Sequence, residues 1–123
     1  SASALFGLCD NLTVLSGDDS MTLPLMSIGG VGVISVIANI VPADLKALTD
    51  AALAGDFATA RKWHHKLFAL AKGMLALETN PIPVKTAMAI KGMIAEEFRL
   101  PMCEMSPSNR QKLQQMLTDY GWL

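Results

Sequence analysis

The residues best suited to chemistry in this chain are the adjacent carboxylates of Ser16-Gly17-Asp18-Asp19. They follow Leu12-Thr13-Val14-Leu15, an apolar, β-rich run that reads as a strand opening into a polar loop. Loops at the carboxyl ends of strands are where α/β folds place their ligands. Two carboxylates there can bind a metal, act as acid and base, or favour the N-terminus of the next helix, where negative charge stabilises by about 0.3–1 kcal/mol. The last is the ordinary role. The same charges disfavour phosphate, so Gly29-Gly30-Val31-Gly32 reads as a helix stop and tight turn rather than a phosphate cradle. His64 and His65 are neighbours on a helix and point about 100° apart, a poor chelating pair, so surface or packing roles are expected. Lys85 and Lys91 lie after Asn80-Pro81. A buried lysine can be a Schiff-base nucleophile, but nothing local favours a lowered pKa, and solvated lysines are expected. No Ser/His/Asp or Cys/His arrangement is visible, and no metal or cofactor motif.

The elements that must position these residues follow from periodicity. Residues 20–28 are helix-like, with Pro24 tolerable in the first turn, and Gly29-Gly30 stops them. Gly32-Val33-Ile34-Ser35-Val36 is a near-continuous apolar strand of the kind parallel sheets bury on both faces. Strand, helix and strand make a right-handed βαβ unit. After Asn39 the pattern is helical. Pro42 suits a first helical position, Leu45, Leu48, Ala52 and Leu53 share a face, and Gly55 ends the helix. Asp56 caps a second, in which Ala60, Trp63, Leu67, Leu70, Met74 and Leu77 form one stripe. Asn80-Pro81-Ile82-Pro83 breaks the chain before a helix over roughly 84–95, and Arg99-Leu100-Pro101-Met102 is extended. Ser106 caps a last helix with Pro107 at its first position and Leu113, Met116, Leu117 and Tyr120 on its apolar face.

Composition narrows the class. The chain has 123 residues, 51% hydrophobic and 17% charged, with a net charge of -1 that gives no reason to expect nucleic acid or an anionic membrane. The uncharged run from Met21 to Ala43 is long enough to span a bilayer, but Pro24, Pro42 and the glycine cluster break it, so it reads as buried and not membranous. Cys9 and Cys103 lack ligand spacing and read as free thiols. No secretory segment opens the chain, which makes the cytoplasm the default, and Ser1 to Leu5 without an initiator Met suits a processed or truncated start. Two parallel strands are a poor sheet by themselves. Their outer edges call for further sequence or for an oligomer that completes them.

Three segments carry a specific resemblance: Val14-Leu15-Ser16-Gly17-Asp18-Asp19, then Gly30-Val31-Gly32-Val33-Ile34-Ser35-Val36 with Asn39, then Asn80-Pro81-Ile82-Pro83-Val84-Lys85. With Phe98-Arg99-Leu100-Pro101-Met102 following, the whole chain resembles the C-terminal portion of the dihydrodipicolinate synthase family, within the superfamily of pyruvate-dependent aldolases and lyases that includes N-acetylneuraminate lyase.

The resemblance implies an α/β fold: the last two strands of a TIM (β/α)8 barrel in residues 1–55, followed by an all-α extension in residues 56–123. It implies a lyase of lysine and diaminopimelate biosynthesis, commonly a homotetramer. Pyruvate, held as a Schiff base on a lysine, attacks aspartate semialdehyde. Ile34 is expected to line the pyruvate adduct through its backbone, and Gly17 and Asp18 to lie near the second substrate. The family's Schiff-base lysine and catalytic tyrosine have no counterpart among the lysines here or in Tyr120, so the chain alone is expected to be inert. The alternatives are a helical interaction or oligomerisation module from a truncated reading frame, or another pyruvate-dependent lyase.

Overall fold

The computed structural model describes residues 1–8 and 11–123. Cys9 falls outside the described residues, and Cys103 is exposed. A short helix, α1 (Ala2–Leu8), opens the chain without burying a residue; it lacks the apolar stripe that would announce it in sequence. Strand β1 (Leu15–Ser16) runs parallel to β2 (Gly32–Val33), with Leu15 opposite Gly32 and Ser16 opposite Val33. Between them lie a 3-10 turn at Asp19–Met21 and helix α2 (Thr22–Ser27). The expected strand-helix-strand unit is present, and it breaks the uncharged run into short elements.

Both strands are shorter than the sequence suggests. Residues 12–14 lie outside β1, and Ile34-Ser35-Val36 leaves β2 to enter a second 3-10 turn at Ile37–Asn39. Strand length is set by hydrogen-bonded partners, and among the described residues each strand has one neighbour. Single bonds extend the ladder at both ends, from Val31 N to Val14 O at 3.0 Å and from Ile34 N to Ser16 O at 2.8 Å. The turn between α2 and β2 is a Schellman cap: Gly30 N donates to Leu25 O, and Gly29 takes φ +114°, where a side chain would be strained.

The helical half follows its caps. Helix α3 (Pro42–Leu53) starts on Pro42. Asp56 caps α4 (Phe57–Leu77) by accepting from Thr59 N at 3.0 Å, and Ser106 caps α6 (Pro107–Tyr120) by accepting from Asn109 N. Leu53 does not join the apolar face of α3; it is exposed. Helix α5 spans Ile82–Ile90 rather than 84–95. It begins within the proline pair, because a first helical turn needs no N–H donors. It ends where Gly92 adopts φ +73° and Met93 N bonds back to Met88 O. Nor is 99–102 extended throughout: Met102 N donates to Arg99 O and closes a turn.

One cluster of buried side chains runs from Leu23 and Met26 of α2 through Leu45 and Leu48 of α3 and Leu67, Leu70 and Met74 of α4 to Leu113 and Leu117 of α6. Burying each such leucine is worth about 1.5–3 kcal/mol. The chain's end is tied to this core by polar contacts. Tyr120 Oη donates to Asp44 Oδ2 at 2.6 Å, Lys66 Nζ reaches the same oxygen at 2.8 Å, and Trp122 Nε1 donates to Ile40 O at 2.6 Å. Burial and the Asp44 carboxylate push the Tyr120 phenol well above its ordinary pKa. For Asp44, burial acts upward, but Lys66 and Tyr120 outweigh it and hold the carboxyl below its usual range. Among the described residues, no helix is long and apolar enough to cross a membrane.

Candidate functional site

The loop after β1 is built on its own side chains. Ser16 Oγ donates to Asp18 O at 2.7 Å and accepts from Asp18 N at 3.2 Å, which folds the backbone tightly around Gly17. Asp18 Oδ1 then accepts from both the N–H and the hydroxyl of Ser20, each at 2.7 Å, and so caps the 3-10 turn. Those bonds to Ser20 hold the Asp18 carboxyl below its ordinary pKa against a smaller upward push from burial, with Lys72 adding attraction from 4.0 Å. Asp18 is therefore an anion at neutral pH, oriented by its own loop and half open to solvent. The helix-start role expected of an acidic residue here is real, and it leaves Oδ2 on the Lys72 side.

Gly17 and Asp18 line an open cleft of about 630 Å³ with Leu15, Met21 and Leu25. Ile34 sits on the adjacent strand end, its N–H bonded to Ser16 O and its side chain 70% exposed. The three residues singled out in the sequence thus lie on neighbouring strand ends, with Gly17 and Asp18 in one loop and Ile34 across the ladder.

Asp19, by contrast, faces inward. Its Oδ2 accepts from Val36 N at 3.0 Å and from Ile37 N at 3.2 Å, joining the loop after β1 to the turn after β2. Its Oδ1 is buried and has no hydrogen-bond partner among the described residues. Asp19 also lines a small cleft with Met74, Asn80, Pro83 and Val84, side chains of the helical half. Sequence reasoning noticed the second carboxylate but not this bridge, and it missed Lys72 altogether. The only local signal was a pair of acids where one suffices to cap a helix.

The other candidates lie elsewhere. The His64 and His65 rings are 5.5 Å apart at 67°, and His64 leans on Phe68. Burial, helped by the charge of His65, lowers the His64 pKa. Lys91 is exposed, as expected, and Lys85 is half-buried; both ammonium groups also reach backbone carbonyls. The Lys85 ammonium reaches Glu97 O and lies 5.0 Å from the centre of the Phe98 ring, and that of Lys91 reaches Trp122 O and lies 4.2 Å over the Trp122 ring. Neither is buried away from solvent, the setting in which a lysine becomes a nucleophile.

A parallel strand pair whose carboxyl-end loops converge, backed by a helical extension, defines a class: part of an α/β protein. The chain belongs to the Dihydrodipicolinate synthetase family, whose sequence profile matches residues 5–120. The 4-hydroxy-tetrahydrodipicolinate synthase of Hydrogenobaculum sp. (strain Y04AAS1) is 54% identical over 111 residues, which cover 90% of this chain and 38% of that protein. The crystal structure of dihydrodipicolinate synthase from Aquifex aeolicus matches with a TM-score of 0.92 at 51% identity, over 98% of this chain and 41% of that one. The chloride-inhibited enzyme from Acinetobacter baumannii, complexed with pyruvate, matches with a TM-score of 0.92 at 35% identity, over 99% and 42%. The chain spans about two-fifths of the length of these relatives.

Proposed function

We propose that this chain is the C-terminal portion of a 4-hydroxy-tetrahydrodipicolinate synthase, a lyase that condenses pyruvate with aspartate semialdehyde through a Schiff base. Residues 1–55 supply the last two strands of a (β/α)8 barrel, and residues 56–123 form its helical extension. The lysine that carries pyruvate and the tyrosine that relays protons belong to the rest of the barrel. Within this chain the Ile34 backbone lines the adduct, and Gly17 and Asp18 border the second substrate. The working enzyme is a cytoplasmic homo-oligomer. The observation that carries the reading is the paired strand-end loops, within a chain whose backbone matches that of a relative crystallised with pyruvate over 99% of its length. Rigid strand ends suit such contacts, because chemistry between two bound substrates depends on preorganisation.

Incubation with pyruvate and borohydride followed by intact mass tests it. The 13.1 kDa chain is expected to gain no adduct, and a full-length protein carrying it is expected to gain one pyruvate. An adduct on the isolated chain refutes the assignment of the lysine, and none on the full-length protein refutes the lyase.

A further inference from the structure

Asp19 is the residue of this region that neither a capping role nor a substrate role accounts for. Asp18 already caps the turn that begins α2. Asp19 reaches across seventeen and eighteen residues of sequence to take the N–H groups of Val36 and Ile37. Ile34 and Ser35 lie between two tie points: Ile34 N is fixed to Ser16 O at 2.8 Å, and Val36 N to Asp19 Oδ2 at 3.0 Å. Ser35 adds a local one by accepting from Ala38 N at 2.9 Å. A span of two residues held at both ends has little freedom to turn its carbonyl groups.

The clamp also looks toward the helical half. The cleft beside Asp19 is walled by Met74 of α4 and by Pro83 and Val84 of α5, and Lys72 of α4 approaches Asp18. Helices α4 and α5 thus border both strand-end loops where the adjacent carboxylates stand. We infer that Asp19 is a positioning residue: it holds the Ile34 turn in register with the Gly17-Asp18 loop, against a wall supplied by α4 and α5. It acts through backbone geometry and touches no substrate. Hydrogen bonds from N–H groups to a carboxylate are among the stronger ones available to a protein, and two converge here on one oxygen.

The inference rests on the synthase reading, so its test uses the full-length synthase carrying this chain. Asp19→Ala is expected to raise KM for pyruvate about tenfold while kcat changes by less than about threefold, the signature of lost ground-state positioning. Asp19→Asn keeps an acceptor oxygen and is expected to recover most of that loss. Pyruvate KM unchanged in Asp19→Ala, or Asp19→Asn as poor as Asp19→Ala, overturns the inference. Amide exchange and chemical shifts give a second readout that needs no turnover. Asp19→Ala should remove protection at Val36 and Ile37 and shift the Ile34 amide, and an unmoved Ile34 overturns the inference even where the fold survives. If the unsubstituted protein lacks turnover, the synthase reading fails, and the clamp is judged on those amides alone.

Discussion

One substitution made at two glycines should have unequal consequences. Gly30 closes the Schellman cap of α2. A Cβ there would stand 2.9 Å from Leu25 Cγ and 3.0 Å from the Leu25 carbonyl oxygen, which is backbone already accepting the Gly30 N–H. Neither can retreat without opening the cap. Overpacking of this kind costs about 1–3 kcal/mol, and the lost hydrogen bond about 1 more. The stiffer unfolded chain returns only about 0.4–1 kcal/mol. Gly30→Ala should therefore destabilise by about 2 kcal/mol, the sum of those terms.

Gly73 sits inside α4, where a Cβ would meet Met116 Cε at 2.5 Å and Sδ at 2.7 Å. Those atoms end a flexible side chain that borders an open groove of about 660 Å³ between α4 and α6. Met116 can swing into that space for about 0.5–1.5 kcal/mol. Alanine gains about 0.5–1 kcal/mol over glycine in a helix interior, so the two terms nearly cancel and Gly73→Ala should stay within about 1 kcal/mol of neutral. Urea unfolding followed by the fluorescence of Trp63 and Trp122 measures both. Equal losses at the two positions would refute the reasoning, because it rests entirely on whether the obstructing atoms can move.

Two further outcomes are expected. Tyr120→Phe removes the hydroxyl from Asp44 and should cost about 1 kcal/mol at neutral pH, less than the roughly 1.5–3 kcal/mol of a shielded bond to a charged group because Asp44 is partly exposed. Asp44 has its folded pKa lowered, so the stability it contributes is present above the ordinary carboxylate range and is lost as pH falls through the folded value. Tyr120, raised, contributes stability below its ordinary pKa that is lost as pH climbs beyond it. Urea midpoints for parent and variant should converge at both extremes, and a gap independent of pH would count against the Asp44–Tyr120 bond. Separately, Leu113→Ala empties a fully buried site and should cost about 2–5 kcal/mol, whereas Leu100→Ala, at a site 91% exposed, should leave the same urea midpoint unmoved.

What could be read from the sequence and what could not divide along the range of the interactions. Asp56, Ser106, Pro42 and Pro107 announced helix starts because a cap is settled within three or four residues, and the stripe from Ala60 to Met74 announced a buried face because helical period is local too. The parallel strand-helix-strand unit and the strand-end position of Gly17 and Asp18 were legible on the same grounds, whereas Ile34 reads in sequence as the middle of a strand and stands just past the end of β2. Strand length was not legible, because it depends on neighbours across the ladder. The end of α5 was misjudged because apolar residues continue past Gly92, while the glycine's left-handed backbone stops the helix regardless. Asp19 shows the limit best. Its pairing with Val36 and Ile37 joins two loops that no window of periodicity spans.

The same division bears on where the function resides. The helices of residues 42–123 bury a continuous core, with Leu48, Leu70, Leu113 and Leu117 almost wholly shielded. The strand side does not close in the same way. Leu12, Leu15, Val31 and Ile34 are all exposed, and they lie on or beside the two strands. Apolar residues at strand positions are an incomplete surface rather than a random scatter, since a parallel sheet is stable only with both faces and both edges covered. In the proposed synthase a barrel would supply that cover and would bring a Schiff-base lysine to the strand ends where Gly17, Asp18 and Ile34 stand. The proposed synthase thus accounts together for an open sheet, an ordered acidic loop at a strand end, and a helical half that packs well. An autonomous helical module would account only for the third.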